Sequence, residues 1–342
     1  MKKKSRITLY DLIPFIAFLA IFLVFTFLSY KPGKGFLMLR PANLYTIVEQ
    51  TMQVILVASG TIFVVAQGGI DLSVGVNLAL SGVIGTWASV TTGIPWLLIP
   101  VTLSVGLVVG IINGIIVGKF KVSSFMVTLA MMIGIRGLVN FIQAKILAQR
   151  LDNAFQALMN STPVKIGMFI VVVAIMCYVF EFTKVGRYSR AIGENETTAK
   201  SIGIPVVKMK IIAFALSGLL AGVGSIVSLV TIGSTSQQMG VFFEMRVAMG
   251  IFLGGVLVTG GSSAKFYKIL LGSFSIQIIV NGLALIGKSD SYISQSVQGI
   301  LLLLILVISA LSANKRTKLR KTPADALPAE GGNAPEDKET SE

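Results

Sequence analysis

The chain is predicted to be an all-α integral membrane protein. It has about ten transmembrane helices with one broken or re-entrant region, and both termini are cytoplasmic. Three observations lead there. Hydrophobic residues make up 54% of the 342 and charged residues only 13%, with a mean hydropathy of +0.83, whereas soluble domains carry about a quarter charged residues. Apolar runs of about twenty residues recur, the length that crosses the bilayer core as a helix, without the alternation of a β-barrel. The basic residues also fall on alternate sides of those runs, as cytoplasmic loops require.

Taken in order, residues 1–8 are a basic cytoplasmic N-terminus, Met1–Arg6 preceding the apolar run Leu12–Leu28. That run is long for a signal peptide and no A-x-A-like cleavage site follows, so it reads as an uncleaved first span over 9–30. Further spans are expected at 44–66, 72–90, 96–118, 123–147, 166–183, 211–233, 247–260, 269–287 and 292–312. The outside segments and adjoining helix ends then hold eight basic residues: Lys31, Lys34, Arg40, Lys145, Arg150, Lys165, Arg246 and Lys288. Arg136 alone lies deep within a span, which leaves twenty of the 29 inside. The opposite orientation would invert that bias. The 247–260 span is short and interrupted by Gly254 and Gly255, as a half-helix or re-entrant piece would be. The segment 313–342 is rich in Pro, Ala, Gly and Glu without apolar periodicity, and reads as a disordered cytoplasmic tail.

Several chemistries are excluded outright. There is no histidine, so histidine catalysis and histidine zinc ligation are ruled out, and the single Cys177 cannot form an intrachain disulfide. The net charge of +14 reflects cytoplasmic loops, not nucleic-acid binding. No G-x-x-x-x-G-K-[ST] occurs; the nearest approach, Gly114–Phe120, has the wrong spacing. If ATP drives transport here, another polypeptide hydrolyses it.

Polar groups inside the spans or at their edges are Glu49, Gln53, Asp71, Asn77, Asn113, Thr128, Arg136, Asn140, Gln143, Gln277 and Asn281. Each needs a partner or a water-lined surface. Interhelical bonding accounts for any one of them; together they offer what a polar, uncharged solute needs. Glu49 and Gln53 share a helix face, and an ion pair would account for Glu49. Asp71, in the glycine-rich segment QGGIDLSVGVNLALSG at 67–82, is placed at a span edge as an N-cap for the helix starting near Leu72-Ser73. That segment shapes a break between helices beside the pathway. Gly106, Gly110, Gly114 and Gly118 recur at every fourth residue, a groove for close helix packing, and Gly218 and Gly222 form a shorter one. The longest inside loop, 184–210, contains Glu194–Ser201, a short helix bounded by Gly193 and Gly203 that projects into the cytosol.

Four pieces in order carry a family resemblance: GGIDLSVG at 68–75, NGIIVGKFKVSSFMVTLAMMIGIRGL at 113–138, GRYSRAIGENETTAKSIGI at 186–204 and LSGLLAG at 216–222. The chain resembles the permease subunits of bacterial ATP-binding-cassette importers for monosaccharides, the ribose-type permease family, over most of residues 44–312. The resemblance implies a multi-pass protein of the bacterial inner membrane that is not itself an enzyme and holds no cofactor, ATP-Mg residing on a partner. It implies cytoplasmic ATPase subunits, an external solute-binding protein and a second permease copy or paralogue. It also makes Gly193, Glu194, Asn195, Glu196, Ala199, Lys200 and Gly203 the ATPase-coupling loop. Asp71, Ser73, Asn77, Asn113, Thr128, Arg136, Gln277 and Asn281 are then candidates for the translocation pathway or its structural frame. Two stretches depart from the family. Glu244–Met249 stands where an E-L-D-A-I-A-A-like run is usual, and Ser262–Lys268 reads SSAKFYK where a glycine-rich turn is usual. A nucleoside or other small polar solute permease would share the skeleton. An ion-coupled secondary transporter is the alternative of a different class.

Overall fold

A computed structural model describes residues 9–146, 149–287, 292–304 and 307. The basic N-terminus 1–8 and the tail 313–342 lie outside the described residues. The fold is helical: α1 (Leu9–Leu28), α2 (Pro41–Ala66), α3 (Val74–Thr92), α4 (Leu98–Lys119), α5 (Ser124–Ile146), α6 (Asn153–Met159), α7 (Thr162–Phe182), α8 (Lys184–Glu194), α9 (Glu196–Ser201), α10 (Val206–Ile232), α11 (Phe243–Leu253), α12 (Phe266–Leu285) and α13 (Tyr292–Leu304). Two features were not expected from sequence. One is a minimal hairpin of β1 (Tyr30–Lys31) and β2 (Gly35–Phe36), and the other is α6, capped by Asp152, whose side chain accepts from the Phe155 amide at 2.8 Å.

Among the described residues, seven helices are long and apolar enough to cross a membrane: α2, α3, α4 with its preceding turn, α5, α7, α10 and α12. The apolar stretches Pro14–Leu28 and Tyr292–Leu304 are shorter. In place of the expected span 247–260 stands α11. Its 11 residues rise about 16 Å, half of the hydrocarbon thickness. It starts at Phe242, a non-glycine residue at φ 57°, and stops at Gly254 with Gly255 at φ 84°. It packs on α12 where a Cβ on Gly250 would meet Ser273 Oγ at 2.8 Å.

The centre of the molecule is α2 and α10, with α3 and α4 packed against α10 and each other. The most apolar stretch of α2 is 78% buried, that of α7 only 17%, so α7 stands at the periphery. The glycine groove of α4 faces α10. A Cβ on Gly114 would lie 2.7 Å from the Ile211 Cα, and one on Gly222 of α10 would lie 2.7 Å from the Thr102 carbonyl oxygen. The groove is therefore intrasubunit packing, in which the two backbones touch because no side chains separate them.

Candidate functional site: the α2–α3 break and the α8–α9 projection

α2 ends because Gln67-Gly68-Gly69 closes it. Gly68, at φ 77°, donates to the Val65 carbonyl at 2.9 Å and Gly69 to that of Val64 at 3.0 Å, a Schellman arrangement only glycine enters without strain. The following residues run without helix to Ser73. Ile70 is clamped by α5: its amide donates to Ser124 Oγ at 3.2 Å and its carbonyl accepts from Thr128 Oγ1 at 3.2 Å.

Asp71 is buried, 6% exposed, and its carboxylate accepts three hydrogen bonds. The Ser73 amide (3.0 Å) and Ser73 Oγ (2.6 Å) donate to Oδ1, and Ser217 Oγ of α10 donates to Oδ2 at 2.7 Å. Asn113 of α4 extends the chain, its Nδ2 donating to Ser73 Oγ at 2.8 Å. The expected helix cap is corrected in detail: Ser73 occupies the N-cap position of α3 and Asp71 precedes it. The acid still holds the Ser73 amide and hydroxyl, but its other oxygen accepts from Ser217 of α10, so it ties helices together as well as steadying the start of α3. Asn77 adds a further tie, donating to the Gly106 carbonyl at 3.1 Å, and accepts from Ser81 Oγ at 3.3 Å.

Five of the sequence candidates, Asp71, Ser73, Asn77, Asn113 and Thr128, thus gather around this one break. The other three do not. Arg136 donates to the Met239 carbonyl at 2.9 Å, beside α11. Gln277 of α12 donates to Gln50 of α2, and Asn281, one turn on, has an Oδ1 without a hydrogen-bond partner. Glu49 is paired with the buried Lys165 of α7, as an ion pair was expected to explain it. Gln53 donates to the Gly224 carbonyl at 3.3 Å.

Sequence reasoning passed over four residues. Ser217 lies in the LSGLLAG piece and reads as an ordinary small residue until α10 is seen beside Asp71. Gln50 sits between two residues that were singled out. Glu244 entered only as part of a departure from a family pattern, and Arg246 only there and in the count of outside basic residues. Glu244 is 7% exposed at the start of α11, and its Oε2 has no hydrogen-bond partner. The guanidiniums of Arg136 and Arg246 are within Coulombic range of it, and its carboxylate lies against Gly75 of α3.

The 184–210 region is corrected from one short helix to two. α8 runs through Gly193 to Glu194; Asn195, at φ −164°, breaks the chain and caps α9, its Oδ1 accepting from Thr198 N at 2.9 Å and Thr197 Oγ1 at 2.6 Å. Gly203, at φ 84°, ends α9, its amide donating to the Lys200 carbonyl at 3.0 Å. Ile192, Ala199, Ile204, Val206 and Met209 form a small apolar core beneath the pair. Ala199 therefore points inward, and Glu194, Asn195, Glu196, Lys200 and Gly203 are exposed. Glu196 pairs with Lys210 at 2.8 Å, and Ile202 stands 71% exposed beyond the tip.

The sequence matches known proteins over most of the chain. The family model described as branched-chain amino acid transport system / permease component matches residues 43–309. The ribose import permease protein RbsC of Haemophilus influenzae is 33% identical over 276 residues, covering 78% of this chain and 84% of that protein. The fructose import permease protein FruG of Bifidobacterium longum is 32% identical over 58% of this chain and 62% of its own. The L-arabinose transport system permease protein AraH of Escherichia coli is 30% identical over 74% and 77%. The matching family is a transport permease component, not an enzyme, and with seven membrane-competent helices the protein is multi-pass. The chain belongs to this permease family, within its ribose-type group of monosaccharide ABC permeases.

Proposed function

We propose that this chain is the membrane permease of an ATP-driven importer in the bacterial inner membrane, translocating a pentose or hexose that an external solute-binding protein delivers. The names of the relatives, for ribose, fructose and arabinose, support a monosaccharide. A second permease copy or paralogue completes the pathway, and two cytoplasmic ATPases supply the work; ATP-Mg binds there and not on this chain. The twenty-to-eight bias of basic residues supports about ten crossings with both termini cytoplasmic.

The observation that carries the coupling is the α8–α9 pair. Its inner face is packed on its own apolar core, while Asn195, Glu196, Thr197, Thr198 and Ile202 are exposed together at its tip. An apolar side chain ringed by polar groups is the composition of a docking surface. Closure of the ATPases against this tip shifts the permease between outward and inward openings, because the ATPases contact the two states differently. Asp71, Ser73, Asn77, Asn113 and Thr128 frame the pathway; Arg136, Gln277 and Asn281 are the candidates to face the solute.

The test is affinity purification of the tagged chain, followed by uptake into proteoliposomes holding the co-purified ATPase and the cognate binding protein, with radiolabelled ribose, arabinose and fructose. ATP-dependent accumulation of one of these sugars is expected. Failure to recover a Walker-type ATPase sinks the importer reading, and accumulation of nucleosides alone would overturn the substrate class.

A further inference from the structure

Three backbone segments meet at the base of α8 more closely than side chains allow. A Cβ on Gly193 would overlap the Ala66 carbonyl oxygen, and one on Gly260 would lie 2.7 Å from that same oxygen and 2.7 Å from the Gly68 nitrogen. The end of α2, the end of α8 and the Gly260-Gly261 turn that follows α11 are thus in direct backbone contact. Gly260 and Gly261 both sit at φ 70°.

One side chain bonds across this junction. Glu194 Oε1 accepts from the Ser262 amide at 2.8 Å and from Ser262 Oγ at 2.5 Å. A second link lies behind it, where Gln67 Nε2, just after α2, donates to Ser189 Oγ of α8 at 3.1 Å and to the Met209 carbonyl of α10 at 3.0 Å. A push on α8 and α9 therefore reaches two breaks at once. Through Gly193 and Gln67 it reaches the α2–α3 break, and through Glu194 it reaches the turn that follows α11. Ser262 lies in the stretch SSAKFYK, where this chain leaves the usual family pattern.

We propose that Glu194 is an internal transmission strut: its carboxylate carries motion of the α8–α9 pair to the Ser262 turn and so to the α11 half-helix, and does not dock the ATPase. The bond is exposed to water, so it exchanges readily during a transport cycle, and it is charge-assisted, so it holds when formed. Glu194 is a positioning residue, and its role rests on the importer reading above.

The experiment compares wild type, Glu194→Ala, Glu194→Gln and Ser262→Ala in the reconstituted complex. It measures co-purified ATPase, ATP hydrolysis and solute carried per ATP, using whichever of ribose, arabinose and fructose wild type accumulates. Glu194→Ala is expected to assemble with the ATPase and hydrolyse ATP, while solute per ATP falls roughly tenfold, the size of a typical coupling between sites. Ser262→Ala, which keeps the backbone donor, is expected to lose less. Glu194→Gln retains an acceptor oxygen and is expected to recover most of the ratio, a rescue that a general packing defect would not give. If Glu194→Ala fails to co-purify the ATPase, the residue docks the partner and the strut is wrong. An unchanged solute-to-ATP ratio also overturns it. If wild type itself recovers no ATPase, the importer reading fails, and the strut with it.

Discussion

Asp71 and Glu244 are both buried carboxylates at interruptions of membrane helices, yet Asp71 accepts three hydrogen bonds while Glu244 keeps Oε2 without a partner. The two breaks differ in how they are made. The α2–α3 break is closed by glycines and clamped from α4, α5 and α10, so its acid is the knot of a network. The α11 break is made by a left-handed Phe242 and a helix of 11 residues, and its acid lies against Gly75 with Arg136 and Arg246 near but unbonded. A carboxylate whose donors are all supplied internally stabilises a fold. One left short of donors in a low-dielectric interior adds little to stability, because an incompletely bonded buried carboxylate is costly.

If that contrast is right, Asp71→Ala has the largest effect. It strands Ser73 and Ser217 donors in a dry interior, and a loss of about 3–5 kcal/mol is expected, read as failure to recover monodisperse protein or as a collapsed unfolding midpoint in detergent. Recovery of a stable Asp71→Ala protein would break the comparison. Gly75→Ala comes next: its Cβ would lie 2.6 Å from the Gly240 carbonyl oxygen, a backbone atom that cannot step aside. The expected loss is about 1–3 kcal/mol, checked by thermal unfolding, and near-wild-type stability would mean that α3 and the turn leading into α11 are not in tight contact. Ser217→Ala removes one of three donors to Asp71, and about 1 kcal/mol is expected by the same measurement. Glu244→Gln should move stability least, within about 0.5 kcal/mol, since no hydrogen bond to Oε2 is lost. Sugar uptake by the assembled transporter, however, should fall. A large stability loss with normal uptake would make Glu244 a second Asp71.

The legible part of the site and the illegible part separate along the same line. The break at 67–73 was legible because Gly68-Gly69 and a carboxylate stand out in an apolar run. That Asp71 binds Ser217, 146 positions away, was not, since a serine in an apolar helix carries no signal of what it faces. The short helix expected over Glu194–Ser201 rests on local glycine punctuation at Gly193 and Gly203. Asn195 was the stronger cap, and Gly193 was needed for contact with Ala66.

By itself the sequence determined the membrane class, most of the spans and the packing role of the Gly106–Gly118 stripe, since hydropathy and residue size act locally along one helix. It also carried the family, through motifs that stay contiguous in the chain. Only the tertiary structure decided which polar groups are satisfied, because a hydrogen bond in the hydrocarbon region depends on what a neighbouring helix presents. Asp71 and Glu244 are both carboxylates, separated by their surroundings: one accepts from three side-chain and backbone donors of α3 and α10, and the other keeps an Oε2 without a partner.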